Sequence, residues 1–240
     1  MLDFRARVQT LTDRQLFHSP FDFGNGIRTR PWHVERRFRR RLKLLQIPEN
    51  LSGMTVLDIG AWDGFFSFEF ERRGAARVLA IDTFAWDQGG LECFLLAREH
   101  FKSKVDYERL DVHDLDPRRM GTFDLVFCAG VLYHLRHPLL ALEKIRSVTA
   151  KQCIVETHQL ITALHDRVPL ITLFPGDGRE NIHTHGAFPT KAWVLQALLT
   201  AGFARNEVVY STTSRLVKKL VALATTRPQT GRLIVHAFTS

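Results

Sequence analysis

Between Val56 and Phe70 the chain reads VLDIGAWDGFFSFEF, an apolar run that passes through a glycine-bearing turn into an apolar stretch at helical spacing. A buried strand entering a helix through glycine opens a βαβ unit, so this segment commits the chain to an α/β sheet. Gly60 admits a ligand close to the backbone where a Cβ would collide, and Gly64 opens the helix. A dinucleotide site would carry G-x-G-x-x-G here and set a pyrophosphate at the helix N-terminus. This turn offers Asp58 and Asp63 instead, which repel a pyrophosphate and suit the ammonium of an amino-acid tail.

After Pro48 the same alternation repeats, with short apolar runs bounded by Gly, Asp or Pro and separated by stretches of helical period. Parallel strands are predicted at Thr55–Ile59, Arg77–Ile81, Val105–Leu110, Phe123–Cys128 and Gln152–Glu156, with helices near Phe65–Arg73, Gly90–Phe101 and Pro138–Val148. From Thr157 to Ala187 no period is sustained, and Pro169, Pro175, Gly176 and Gly178 predict a long loop with one short helix near Ala163–Val168. Loops of that length in a domain are usually lids or binding segments. A helix is expected at Thr190–Ala201, capped by Gly202, then strands at Arg205–Tyr210 and Arg232–Phe238 around an amphipathic helix at Ser214–Ala224. The predicted architecture is α/β: a Rossmann-like seven-stranded, mostly parallel sheet with an antiparallel last strand and helices on both faces.

Strand-end acids recur at ligand-binding positions. About 20 residues beyond the glycine turn, Asp82 ends the second strand, the spacing at which a carboxylate meets ribose hydroxyls. Asp111 follows the third strand, and Gly130 follows the fourth. Ligands of open α/β sheets bind along that carboxyl edge.

The formal charge of +8 and a pI of about 9.8 favour an anionic partner. Much of the excess lies in His33–Leu45, an expected amphipathic helix with a basic outer face able to meet phosphates. Cys93, Cys128 and Cys153 are widely spaced in apolar stretches and read as core residues rather than disulfides or zinc ligands. No transmembrane segment or secretory h-region is apparent, so a cytoplasmic protein is expected. Nothing in the sequence speaks to oligomeric state.

The segments Leu57–Phe68, Ala80–Asp82 and Gly130–Leu139 (GVLYHLRHPL) resemble class I S-adenosylmethionine-dependent methyltransferases. More narrowly, they are similar to the branch that modifies 5-hydroxyuridine at the tRNA wobble position. The resemblance covers roughly residues 17–156 and, more weakly, the final strand. It implies an S-adenosyl-L-methionine site in which Asp58 and Gly60 face the methionine part, Asp82 the ribose, and Asp111 with Val112 the adenine. Trp62, Asp63, Gly64 and Gly130 complete the expected cofactor edge. The branch also uses a carboxylated donor, held by a lysine, a tyrosine and an arginine. Tyr133 and Arg232 match the second and third positions, while His18 stands where the lysine is expected, so ordinary S-adenosylmethionine is the preferred donor. Residues 1–47 then read as an N-terminal helical segment and 48–240 as the methyltransferase domain, with 157–190 as a loop over the acceptor.

Methyl transfer to a hydroxyl needs alignment and a base for the proton. His134 and His158 are the candidate bases, and Glu156 is placed to orient His158 or to contact a metal. His183 and His185, near Asp177 and Glu180, lack the helical spacing of a metal site and read as polar loop, so no metal is expected. Trp32 and Trp86 read as packing aromatics. Three functions compete: O-methylation of a small hydroxylated acceptor such as a sugar, glycolipid or secondary metabolite; modification of a tRNA wobble uridine through the basic helix; and a non-catalytic scaffold of the same fold. The intact Asp58, Gly60 and Asp82 set weighs against the third.

Overall fold

The strand, glycine turn and helix predicted around residue 60 form as β1 (Thr55–Ile59) and α3 (Phe65–Arg72), joined through Gly60 and Gly64, both at positive φ. The computed structural model describes residues 3–161, 167–174, 186–212 and 229–240. The chain falls into two units, residues 1–111 and 112–240.

The first unit contains α1 (Phe4–Asp13), α2 (Trp32–Leu45), β1, α3, β2 (Arg77–Asp82), α4 (Phe84–Asp87), α5 (Gly90–His100) and β3 (Asp106–Arg109). Its strands are all parallel, with Thr55 opposite Arg77, Ile59 opposite Ile81 and Asp82 opposite Arg109. Burial runs almost unbroken along β1 and β2, as expected of parallel strands covered on both faces. The N-terminal residues belong to this unit through an aromatic cluster. Phe17, Phe21 and Phe23 are buried; Phe21 meets Phe65 edge-on at 5.8 Å, and Phe23 stacks on Phe101 at 5.5 Å. Such pairs add to the area term of burying large rings.

The second unit contains α6 (Pro117–Met120), β4 (Phe123–Ala129), α7 (Pro138–Ser147), β5 (Thr149–Ile161), β6 (Ile171–Phe174), β7 (Gly186–Pro189), α8 (Lys191–Thr200), β8 (Arg205–Ser211) and β9 (Gln229–Phe238). β4 and β5 are parallel, and β9, the last strand of the chain, runs antiparallel to both β5 and β8. The strands follow the order β3-β2-β1 in the first unit and β4-β5-β9-β8 in the second, giving the seven-stranded, mostly parallel Rossmann-like sheet expected. The core of this unit includes Leu125, Phe127, Ile154, Val155, Leu142, Ile145, Leu198 and Val235.

The segment read as loop from Thr157 departs from expectation. β5 continues to Ile161, paired residue by residue with β9 down to Gln229, and β6 pairs antiparallel with β7. Thr157, His158 and Gln159 concealed the strand because their polarity breaks the apolar run. Their tolerance is nonlocal: buried Gln159 donates to Ser211 Oγ at 2.9 Å and to the Arg232 carbonyl at 3.1 Å. The expected helix at Ser214–Ala224, most of the one at Ala163–Val168, and Asp177, Glu180, His183 and His185 lie outside the described residues. Among the described residues no helix is long and apolar enough to cross a membrane.

Gly64 has φ +83°, and a Cβ there would stand 2.6 Å from Phe94 and 2.7 Å from Phe68. Gly24 has φ +79° with nothing within 4 Å of such a Cβ. Urea denaturation should therefore find Gly64→Ala destabilising by about 2–3 kcal/mol and Gly24→Ala by about 1.

Candidate functional site

In the first unit the end of β1 is drawn toward β2 by main-chain bonds: the Gly60 and Ala61 amides donate to the Ile81 carbonyl at 2.8 and 3.1 Å. This turn gathers three carboxylates, Asp58 from β1, Asp63 from the turn and Asp82 from the end of β2, each no more than 8% exposed. Asp58 Oδ2 accepts from the Ser67 hydroxyl at 2.5 Å. Asp82 accepts from the Trp62 amide at 3.0 Å and from the Ala85 amide at 2.9 Å. These bonds leave lone pairs on both carboxylates, because each oxygen can accept twice. Burial pushes the Asp58 carboxyl up to about 7, opposed by the Ser67 hydroxyl and aided by the negative charges of Asp82 and Asp63. Burial also raises the Asp82 carboxyl, against the amides that favour its ionised form.

Asp63 has a different set of partners from its neighbours. Oδ2 accepts from the His18 and Ser19 amides at 2.8 and 2.7 Å, and Oδ1 accepts from the Ser19 hydroxyl at 2.8 Å. Instead of standing open toward an ammonium, as the sequence suggested, it clasps an N-terminal strap. Trp62 completes that clasp from a left-handed backbone position, φ 49°. Its indole donates to the Leu16 carbonyl at 3.1 Å, its ring stacks on His18 at 4.7 Å, and its carbonyl accepts from the Trp86 indole at 2.6 Å. Trp86 is buried, and Trp32 is exposed at the start of α2. Asp111 lies half-buried just after β3.

The second unit assembles the remaining expected residues. Val112 is buried in a short 3₁₀ turn, and Gly130, at φ 82°, follows β4 and donates to the Glu156 carbonyl at 2.9 Å. The next turn carries Tyr133 and His134. The Tyr133 ring lies 4.1 Å from that of His134 and 4.5 Å from that of His158, edge-on to the latter. Glu156 and His158 share a face of β5, two residues apart. Glu156 is buried and paired with Arg232 at 3.3 Å, while the Arg232 guanidinium stands 5.7 Å from the Tyr133 ring centroid. Phe188 of β7 closes the group, 6.1 Å from Tyr133 and 5.7 Å from His158. A Cβ at Gly186 would stand 2.6 Å from the Tyr133 carbonyl, so β7 depends on glycine to lie this close. Among the described residues no group of three or more His, Cys, Asp or Glu side chains could hold a metal ion.

Sequence reasoning missed Ser67, Ser19, Phe188 and Gly186. Ser67 had a signal, a lone hydroxyl inside the run FFSFEF. The others had none, because their roles depend on partners remote in the chain.

The family described as methyltransferase domain matches residues 32–207. The chain is 34% identical over 149 residues to the tRNA U34 carboxymethyltransferase of Campylobacter hominis, covering 61% of this chain and 48% of that protein. It is 28% identical over 194 residues to the tRNA U34 carboxymethyltransferase of Marinobacter nauticus, covering 79% and 55% respectively. The chain thus spans about half the length of the curated relatives it matches. Among solved structures, the N-terminal domain of EvdMO1 with SAH bound aligns at a TM-score of 0.71 and 21% identity, covering 100% of this chain and 98% of that one. Full-length EvdMO1 aligns at 0.60 and 22%, covering 98% and 47%. At these identities the structural likeness speaks to the fold.

The raised Asp58 carboxyl fixes a sign for stability. Its ordinary value is 3.8 and its folded value about 7, so ionising it costs folding free energy as pH rises between them, and the cost is complete above about 7. Asp58→Asn should gain stability over the parent that is negligible near pH 4 and grows to at most about 4 kcal/mol by pH 8, measured by urea denaturation across pH.

Proposed function

Because the chain belongs to the methyltransferase-domain family, we propose that it transfers a methyl group from S-adenosylmethionine to an oxygen of a small hydroxylated acceptor such as a sugar, glycolipid or secondary metabolite. The turn of the first unit suits such a donor through its chemistry: buried carboxylates with a raised Asp58 favour a cationic ligand over a phosphorylated one. Asp58 takes the ammonium of the amino-acid tail, and Asp82, at the end of β2, takes the ribose hydroxyls. Asp111 meets the adenine, with Gly60, Gly64 and Trp62 shaping the edge. Asp63 acts indirectly, by holding the strap that positions Trp62.

When bound, the donor supplies an electrophilic methyl on a sulfonium. The work left to the protein is to align an acceptor oxygen and take its proton. His158 is our first choice as base, seated against Tyr133 and two residues from Glu156 on the same strand face; His134, on the other contact of Tyr133, is the second.

The observation that carries the choice of donor is the ion pair between Arg232 and buried Glu156. The branch resemblance would have Tyr133 and Arg232 hold an extra carboxylate on the donor. In this chain Glu156 stands 3.3 Å from Arg232 Nη1 without a hydrogen bond to it, and His18 replaces the lysine, which favours an uncarboxylated donor.

A second reading, modification of tRNA, draws on the names of the curated relatives and on α2, where Arg36, Arg37, Arg39, Arg40 and Lys43 are exposed. S-adenosylhomocysteine release measured across glycoside and tRNA panels separates the two. Turnover of a small acceptor that ignores salt supports the first reading. Turnover confined to tRNA, falling steeply between 50 and about 200 mM salt, overturns it. His158→Ala should lower kcat with the small acceptor by about 10²–10⁴ while leaving the S-adenosylhomocysteine Kd, measured calorimetrically, unchanged.

A further inference from the structure

The outer face of α2 is a charged surface that methylation of a small acceptor does not use. Between Trp32 and Leu45 stand six arginines and lysines against one acid, Glu35. The helix turns its apolar side inward: Phe38 meets Phe65 edge-on at 5.4 Å, the Arg41 guanidinium lies 5.2 Å from the Phe66 ring centroid, and Leu45 is fully buried. Arg36, Arg37, Arg39, Arg40 and Lys43 are exposed. Glu35 is engaged by Arg39 and Arg28, and among the described residues no acid pairs with Arg36, Arg37, Arg40 or Lys43. Trp32, 67% exposed, heads the same stripe, with Arg36, Arg40 and Lys43 following it down one side of the helix. A surface this dense in one sign of charge is fitted to a polyanion.

The shape of the patch decides which polyanion. Lys43 lies about 10 Å beyond Arg36 along the helix axis, and the exposed side chains leave one convex face. Single-stranded nucleic acid is held in a groove that follows its backbone, and the major groove of an RNA helix is too deep and narrow for side chains to read. A convex basic stripe meets a plane of phosphates instead. Trp32 fits the same plane. Arg36 covers a face of its ring at 5.9 Å, where a base would stack, whereas an exposed indole joins an apolar ring to an N–H donor and settles at the boundary of headgroups and acyl chains. Because the apolar side of α2 is already packed on α3, the helix lies on such a surface without sinking into it.

We propose that the outer face of α2 docks the protein on a membrane bearing anionic headgroups, reversibly and by charge. This assignment does not depend on which acceptor is methylated. Phe38 meets His18 edge-on at 5.7 Å and His18 stacks on Trp62, so two ring contacts join the docked helix to the glycine turn.

The test is co-sedimentation of the full chain with vesicles of phosphatidylcholine alone and of phosphatidylcholine mixed with phosphatidylglycerol, at low and at high salt. The parent should bind the anionic vesicles about 100-fold more tightly than the neutral ones at low salt, and lose that binding at high salt. Arg36→Gln combined with Arg40→Gln should weaken binding about 10-fold or more, and Trp32→Ala about two- to five-fold. Lys102→Gln combined with Arg118→Gln, the same loss of charge at exposed positions elsewhere, should cost less than about two-fold. Thermal unfolding that matches the parent certifies that each variant is folded. No preference for the anionic vesicles, or equal losses in the two double variants, overturns the proposal. Binding of tRNA at a salt concentration where the anionic vesicles are ignored also overturns it, and assigns the face to nucleic acid.

Discussion

Three buried carboxylates around a single glycine turn impose the constraint on which the rest of the first unit depends. Asp58, Asp63 and Asp82 are all withdrawn from water, and among the described residues none is paired with an arginine or lysine. Neutral donors keep them in place: a serine hydroxyl, main-chain amides and the amide-and-hydroxyl set of Ser19. Hydrogen bonds of this kind remove the cost of burying unsatisfied oxygens but leave the negative charge uncompensated. The result is a site with a built-in preference for cations, expressed in the raised carboxyl of Asp58. A cation brought against such a turn would relieve the cost of its buried negative charge, whereas a phosphate would add to it.

The second unit solves the opposite problem. β5 carries polar side chains through the middle of a sheet, and each finds its partner on the strands beside it. Gln159 is met from β8 and β9, and Glu156 faces Arg232 of β9. A buried ion pair contributes little net stability, since desolvation offsets most of the attraction. What it does is fix side-chain positions. With Glu156 and Arg232 held together, His158 and Tyr133 are packed in a defined edge-on arrangement, closed by Phe188 from the small β6–β7 sheet. Rings packed this way hold their nitrogen atoms at set positions.

How much of this was legible depended on the sequence distance of the interactions. β1, β2, β4 and the helices between them could be read because an apolar run, a glycine turn and a helical period are all local signals. The spacing from the glycine turn to Asp82 was legible for the same reason, since a βαβ unit has a characteristic length. Asp63 looked like its neighbours in the sequence, yet its donors lie 44 and 45 residues away. The continuation of β5 to Ile161 and the pairing of β6 with β7 were equally hidden, because an isolated polar stretch carries no mark of the strand that will satisfy it.

The sequence by itself determined the α/β class, the position of the glycine turn and the acids around it, because these follow from the order of apolar runs, glycines and acids along a short piece of chain. Tertiary structure decided which acids keep lone pairs open and which holds the strap, and it gathered Tyr133, His134, Glu156, His158 and Arg232 into one group. The reason is physical: a carboxylate's role depends on which donors reach it and how much water it keeps, and both are set by contacts between segments that the chain order leaves far apart.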